Sequence, residues 1–292
     1  MKMNVLITGA SGGLGRAMAM ECARRGYNIF LTDINETALL ALYTGIVRQY
    51  DVSASYMACD LTRSGAISEM LGYAGSQGLR FDMLLNVAGV DCEGGFTERS
   101  AQELLSMISI NVDAAINLTH QMLERRGEEN ASDENISDEQ KPFYIVFVSS
   151  LASLYPMPLK AAYAASKRFL YDFAYALGSE LEPQGVKVTT LCPGGLATND
   201  ESLEQISAQG IWGDLTTNPV ETIARRTISK VLRGRRTYIP GFLNTVLGAA
   251  GKVLPRALIA WAIKMRWQKA RKLRVGEAED SGRCTADYAP GM

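Results

Sequence analysis

Val5-Leu6-Ile7-Thr8-Gly9-Ala10-Ser11-Gly12-Gly13-Leu14-Gly15 decides the fold. Its first three residues are apolar and strand-prone, its glycines interrupt the pattern, and Arg16 to Arg25 resumes with helical spacing. Strand, glycine turn and helix follow one another without a linker. Glycine permits the tight turn and lets a phosphate reach the amides at the start of a helix, where the dipole favours negative charge. A glycine loop alone also makes plain turns. The context that a dinucleotide fingerprint requires is supplied by Asn28 to Thr32, a second strand pattern ending in Asp33. Asp33 lies 18 residues beyond Gly15, close to the ~20 at which an acidic residue meets the adenosine ribose. A carboxylate there repels a 2′-phosphate, and neither Gly12 nor Ile34 compensates, so NAD is predicted in preference to NADP. The competing reading makes Asp33 a cap for the helix near Asn35 to Leu42.

Outward from this unit the same alternation repeats. Ser55 to Ala58 is a third strand pattern, followed by Asp60-Leu61-Thr62 and a helix over Ala66 to Gly75; Met83-Leu84-Leu85 is a fourth, leading to Asn86-Val87-Ala88-Gly89. Tyr144 to Val148, Val186 to Leu191 and Thr237 to Ile239 complete about seven strands. Buried strands alternating with helices predict a Rossmann-like, doubly wound parallel sheet with helices on both faces, as one dinucleotide-binding and catalytic domain over residues 1–240. Asp60, at a strand end, is placed either to meet an adenine or to serve as an exposed turn residue.

The chemistry gathers in Ser149-Ser150 and Tyr163-Ala164-Ala165-Ser166-Lys167. Residues four apart share a helix face, so the Tyr163 hydroxyl and the Lys167 ammonium can converge. A nearby cation favours tyrosinate and lowers a phenol's pKa from about 10, which would make Tyr163 a usable base near neutrality. The serines end a buried strand, where open α/β sheets place their chemistry. A Tyr and a Lys at this spacing also occur by chance, and Asn111, in an apolar neighbourhood, reads on spacing alone as a buried structural hydrogen-bonder.

Composition excludes several classes. The 292 residues suit one large α/β domain or two small ones, and 47% hydrophobic content suffices for a substantial core. A net charge of −1 argues against a generally basic nucleic-acid binder. Cys22, Cys59, Cys92, Cys192 and Cys284 are odd in number and scattered, which predicts reduced thiols in the cytoplasm. His120 is the only histidine, so a His-containing triad or a multi-histidine metal site lacks its parts and no metal is expected. Met1-Lys2 passes directly into the first strand, with no apolar leader and no stretch long enough to span a membrane.

Three segments stand apart. Residues 127–141, rich in Glu, Asp, Asn and Ser, predict a solvated acidic insert; about 199–217 predicts a substrate loop. From Thr222 to Gly276 there is no Asp or Glu, while basic residues recur, and 241–275 reads as a basic amphipathic helical extension with Leu254, Leu258, Trp261 and Met265 at helical spacing. Such a helix can lie in an anionic headgroup region, which would put the protein at the inner membrane face; otherwise it packs over the pocket or a subunit partner. Residues 276–292 read as a loose tail.

Taken together, these segments resemble the classical short-chain dehydrogenase/reductase family over roughly residues 3–240. Thr8 to Gly15 fits its TGxxxGxG, Asn86-Val87-Ala88-Gly89 its NNAG with Val87 for the second Asn, Tyr163 to Lys167 its YxASK, and Pro193-Gly194-Gly195-Leu196-Ala197-Thr198 its PGxVxT with Leu196 for Val. The resemblance implies reversible hydride transfer between a nicotinamide and a secondary alcohol or ketone. Tyr163 would be the general acid/base; Lys167 would lower its pKa and hold the nicotinamide ribose. Ser150, 13 residues before Tyr163 as in the family, would hold the substrate oxygen, and Asn111 would complete a proton relay through water. Gly9, Ser11, Gly13, Leu14 and Gly15 would receive the cofactor's phosphates, Asp33 its ribose, and Asp60 and Leu61 its adenine. Asn86, Ala88 and Gly89 would flank the cofactor, Pro193, Gly194 and Leu196 would contact it, and Thr198 would touch its pyrophosphate or carboxamide side. Val87 departs from the motif at a supporting position, which puts local rigidity in question. Family members commonly form homodimers or homotetramers, and extensions like 241–275 resemble those of lipid- and sterol-acting members. A lipophilic substrate of steroid, bile-acid or lipid-like character is therefore expected. A nucleotide sensor or scaffold without turnover competes, against which the complete Asn111, Ser150, Tyr163 and Lys167 set argues; nucleic-acid binding through the basic segment lacks an aromatic platform or reading motif.

Overall fold

The computed structural model describes residues 2–132, 141–196 and 218–265. Strand β1 is Asn4–Thr8, β2 Asn28–Asp33, β3 Ala54–Ala58, β4 Met83–Asn86, β5 Phe143–Val148, β6 Val186–Leu191 and β7 Thr237–Tyr238. They form one seven-stranded sheet in the order β3-β2-β1-β4-β5-β6-β7, with every pairing parallel. The chain winds outward from β1 to β3 in one direction, then returns to β4 and winds the other way. The crevice beyond the carboxyl ends of β1 and β4 is the topological switch point, where such sheets bind ligands.

The strands alternate between two cores, because successive side chains point to opposite faces of a sheet covered on both sides. Val5 and Ile7 join Met18, Ile223 and Ile228 in one core; Leu6, between them, joins Met70, Leu118, Phe147 and Leu170 in the other. The first core is closed by α1 (Gly13–Arg24), α2 (Glu36–Gln49) and α7 (Val220–Leu232). The second is closed by α3 (Ala66–Ser76), α5 (Ala114–Ser132) and α6 (Ala161–Glu180). Each fully buried Leu, Ile or Phe contributes roughly 1.5–3 kcal/mol, so β1 anchors the glycine turn from both faces.

Helix α4 (Ala101–Ile108) meets α5 through a π-helical turn, Ser109–Asp113, and Asn111 lies inside it. Single π turns widen a helix locally and concentrate at functional sites. Helix α5 then runs on to Ser132, past Gly127, where composition predicts a solvated loop. Glu128, Glu129 and Ala131 are good helix formers, so an acidic composition is compatible with a continued helix as well as with a loop. The rest of the insert, residues 133–140, lies outside the described residues.

After β7 the chain forms α8 (Phe242–Val253) and a short helix over 256–265. Helix α8 lies tight against the turn Leu151–Leu154: a Cβ at Gly248 would sit 2.7 Å from Leu154 Cδ1, and one at Gly251 would sit 3.1 Å from the Leu154 carbonyl oxygen. The second helix half-buries Ile259, Ala260 and Ile263 but exposes Leu258, Trp261 and Met265, and Leu254 is exposed just before it. No described helix is long and apolar enough to cross a membrane.

Candidate active site

The glycine turn is held by close backbone packing. Gly9 has φ +60°, and a Cβ there would sit 2.7 Å from Ala88 Cα; a Cβ at Gly15 would sit 2.0 Å from the Gly9 carbonyl oxygen. Any side chain at Gly15 would drive the turn away from the first turn of α1. Gly12 begins α1 with no side-chain cap, and Gly13 is its first residue, which leaves backbone amides facing the crevice as an anion cradle. Leu14 is buried in the core, so only its backbone belongs to this cradle.

Asp33 closes one side. Its Oδ2 accepts the Ser11 N–H at 3.0 Å and its Oδ1 the Asn35 N–H at 3.1 Å. Helix α2 is capped instead by Asn35, whose side chain accepts the Ala38 N–H at 3.0 Å, so the capping alternative for Asp33 falls away. Asp60 is exposed and accepts both the Thr62 hydroxyl, at 2.6 Å, and the Thr62 N–H, at 2.9 Å; these bonds, the hydroxyl first, hold its carboxyl below the usual range. Leu61 is buried in the second core.

Thr8 organises the segment after β4. Its hydroxyl accepts the Val87 N–H at 3.0 Å and the Ala88 N–H at 3.1 Å. Val87 packs against the first core, so the segment is fastened through its backbone and Val87 costs it no rigidity. Asn86 is buried and donates to Thr119 Oγ1 on α5 at 3.1 Å. Gly89 lies between two other site residues: a Cβ there would sit 2.7 Å from Asn111 Oδ1 and 2.9 Å from Lys167 Nζ. Three separate elements meet at that point.

The two serines after β5 face different ways. Ser149 is buried and donates to the Lys167 carbonyl at 2.6 Å. Ser150 accepts the Ala152 N–H at 3.1 Å and sits beside the Tyr163 phenol. The Pro193 carbonyl accepts the Leu151 N–H at 2.7 Å, which ties the loop after β6 to this turn. Gly194 follows, and Leu196 packs on the first core; Thr198 and the segment 199–217 lie outside the described residues.

Asn111 is 1% exposed and fully engaged. Its Oδ1 accepts the Val90 N–H at 2.9 Å, and its Nδ2 donates to the Val90 carbonyl at 3.0 Å and to Ser166 Oγ at 3.2 Å. Ser166 donates in turn to the Tyr163 carbonyl at 2.8 Å. Lys167 is 5% exposed, its ammonium 5.8 Å from the Tyr163 ring centre and donating to the Val148 carbonyl at 3.1 Å.

The electrostatics differ from the sequence expectation. Burial pushes the Tyr163 phenol well above its usual range, Asp91 adds to this, and the Ser150 hydroxyl pulls the other way. Burial lowers Lys167 to about 8, with Asp91 opposing. Desolvation disfavours the charged form of both groups, and the Lys167 ammonium is spent on a carbonyl rather than on the phenol.

Sequence reasoning passed over Thr8, Ser166, Lys160, Asp91 and Glu93. Thr8 and Ser166 sit inside the very motifs that carry the reading. Lys160 binds Asp91 across 69 residues of chain, a contact with no local pattern to betray it.

A family model described as short chain dehydrogenase matches residues 3–205. The chain belongs to that family, a class of nicotinamide-dependent oxidoreductases. The probable oxidoreductase EphD of Mycobacterium tuberculosis is 28% identical over 195 residues, covering 67% of this chain and 31% of that protein, so the chain spans about a third of that relative's length. A very-long-chain 3-oxoacyl-CoA reductase of Phaeosphaeria nodorum is 30% identical over 244 residues, 82% of this chain and 66% of that protein. Hydroxysteroid dehydrogenase-like protein 1 of Gallus gallus is 27% identical over 259 residues, 88% and 73% of the two chains.

Among solved structures, a 7β-hydroxysteroid dehydrogenase superposes with a TM-score of 0.76 at 21% identity, covering 90% of this chain and 96% of its own. A Sphingobium yanoikuyae short-chain dehydrogenase with NADPH gives 0.68 at 24%, covering 99% of each chain. A 4-hydroxyisoleucine dehydrogenase with NADH gives 0.68 at 21%, covering 82% and 97%. At these identities the likeness is one of fold, and that fold accommodates either nicotinamide dinucleotide.

Proposed function

We propose that this chain catalyses reversible hydride transfer between a nicotinamide dinucleotide, preferably NAD, and a lipophilic secondary alcohol or its ketone. The observation that carries the reading is the meeting of Ser150, Tyr163, Lys167 and Gly89 beside a backbone cradle that added Cβ atoms would fill. When bound, the dinucleotide supplies the hydride acceptor or donor. Gly9, Ser11, Gly13 and Gly15 would line its phosphates, Asp33 would accept from its adenosine ribose, and Lys167 from the opposite side would donate to its second ribose.

In oxidation the Tyr163 oxygen, as phenolate, takes the proton of the substrate alcohol and becomes the hydroxyl; in reduction the hydroxyl returns that proton. Ser150 donates to the same substrate oxygen and fixes its position between the two hydroxyls. The side chain of Asn111 is committed to Val90 and Ser166, so we assign its part in a proton relay to the backbone of the π turn, whose wider winding leaves room for water. The test is NADH absorbance with NAD and a panel of steroid, bile-acid, fatty and short secondary alcohols. Turnover confined to short polar alcohols would overturn the lipophilic part.

The lipophilic assignment is supported by Leu151 and Leu154 in the turn after Ser150 and by α8 packed on them, together with relatives named for oxoacyl and hydroxysteroid chemistry. Preference for NAD rests on Asp33. A charge-assisted hydrogen bond is worth about 1.5–3 kcal/mol, so Asp33→Ala should narrow the NAD-to-NADP ratio of kcat/KM by about 10- to 100-fold; an unchanged ratio would assign the preference elsewhere. A homodimer or homotetramer is supported by exposed Leu105 on α4 and by Phe169 and Tyr175 on α6.

The carboxyl-terminal helix supports peripheral membrane contact from the cytoplasmic side. Leu254, Leu258, Trp261 and Met265 form one exposed stripe, within a segment that carries basic side chains and no acid from Thr222 to Gly276. An anionic bilayer surface complements both features. The full chain should pellet with anionic vesicles, less so at high salt, and Leu258→Glu with Trp261→Glu should cut binding more than tenfold. Equal pelleting by the variant would sink the idea, and a concentration-dependent dimer lost in the variant would make the stripe a subunit contact.

A further inference from the structure

Lys160 lies one turn before Tyr163, and its ammonium is 5.7 Å from the Tyr163 ring centre, level with Lys167 at 5.8 Å. Its side chain is only 10% exposed, yet it is charged and doubly paired, to Asp91 and to Glu93 Oε2 at 3.2 Å. Burial pushes the Lys160 ammonium down, but Asp91 and Glu93 outweigh burial and hold it above its ordinary range. The contact is tied down by the backbone on both sides. Leu159, the one non-glycine residue with positive φ among those described, sits at +65° and its carbonyl accepts the Gly94 N–H at 2.8 Å. A left-handed conformation is disfavoured for a leucine and persists only where its surroundings fix it.

We propose that Lys160, clamped by Asp91 and Glu93, is a positioning residue for the reaction: its ammonium offsets the negative charge those carboxylates would otherwise present to the Tyr163 hydroxyl. This rests on the reading of Tyr163 as the general acid/base. Among the described residues, the charged and titratable groups facing Tyr163 are Lys160 and Lys167 from its own helix and Asp91 from the loop after β4, with Glu93 behind Lys160; Ser150 faces it from the turn after β5. Within the clamp the two carboxylates share the one Lys160 ammonium, and Asp91 already pulls both Tyr163 and Lys167 upward. Without Lys160 that field would act unscreened, opposing loss of the phenolic proton and favouring the protonated form of Lys167. A single charge at this range in a partly buried site moves a titration by about one pH unit.

The test compares wild type with Lys160→Met, Asp91→Asn and the double variant, using two readouts. The first is kcat/KM for alcohol oxidation against pH, with the most active alcohol of the panel. Lys160→Met should move the rising limb up by about one unit, Asp91→Asn should move it down, and the double variant should return it toward wild type. The second needs no substrate: carbon-13 NMR of the lysine ε-carbons, with the Lys167 signal assigned by Lys167→Met. The Lys167 midpoint should rise in Lys160→Met and fall in Asp91→Asn.

A lower plateau at every pH with unmoved midpoints would reduce Lys160 to a structural tie and overturn the proposal. If Lys160→Met does not fold, Asp91→Asn alone carries the sign test, and an unmoved Lys167 midpoint there overturns it. Full activity in Tyr163→Phe would instead remove the underlying reaction scheme while leaving the Lys167 titration to report on the charge cluster.

Discussion

Tyr163→Phe is expected to lower kcat by about a thousandfold or more, since positioned general acid–base groups contribute about 10²- to 10⁴-fold and, among the described residues, no other group beside the substrate position can replace this one. Lys167 is turned to the Val148 carbonyl, and Ser150 can orient an oxygen but is a poor base. The change removes one oxygen, and with it the hydroxyl's bond to Ser150, but keeps the ring and the Ser166 bond to the Tyr163 backbone carbonyl. Melting temperature and NADH affinity should therefore stay near wild type. Absorbance of NADH under saturating NAD and alcohol gives the rate, and protein fluorescence gives the affinity. A variant that keeps a tenth of the activity would place the proton-transfer group elsewhere. Tight NADH binding with no turnover even in wild type would favour a nucleotide-sensing role.

Lys167→Met should abolish turnover and yet stabilise the protein. Burial holds the Lys167 ammonium near 8, against 10.5 for a free lysine. Each unit is worth about 1.4 kcal/mol, so the buried cation opposes folding by roughly 3 kcal/mol at neutral pH. Losing the bond to Val148 O returns about 1–2 kcal/mol of that, which leaves a net gain of about 1–2 kcal/mol and a rise in Tm of about 2–5 °C. The sign can be checked against pH. Between about 8 and 10.5 the unfolded chain holds a proton that folded wild type has released, so wild-type stability rises with pH through this window and the advantage of Lys167→Met fades. Denaturant melts at pH 7 and pH 10 measure both ends. A destabilised variant at pH 7 would mean that the ammonium is satisfied by more than one carbonyl. The expected pattern, dead but firmer, is that of a group kept for chemistry at the expense of stability.

Much of the fold was legible because the signals are local. Val5-Leu6-Ile7 reads as a strand buried on both faces, the glycines after it read as a tight turn, and each later strand shows the same short apolar run; all appear at their expected positions. Asp33 was placed beside the glycine turn by counting residues, and its carboxylate does accept the Ser11 N–H. Helix α5 continues past Gly127 to Ser132, because a charged, polar run is as compatible with a solvated helix as with a solvated loop and composition alone does not separate the two.

What the sequence by itself determined is therefore the order of strands and helices, the site of the glycine turn and the end of the sheet at which Tyr163, Lys167 and the serines gather. These follow from periodicity, backbone freedom and covalent spacing, which act within a few residues of chain. The family spacing already selects Ser150; only the tertiary structure decided that Ser149 turns to the Lys167 carbonyl and that Asn111 spends its side chain on Val90 and Ser166. It alone raised Tyr163, lowered Lys167 and brought Asp91 and Glu93 to Lys160. The reason is physical: desolvation and Coulomb interaction depend on what surrounds a group in space, and those neighbours come from segments far apart in the chain.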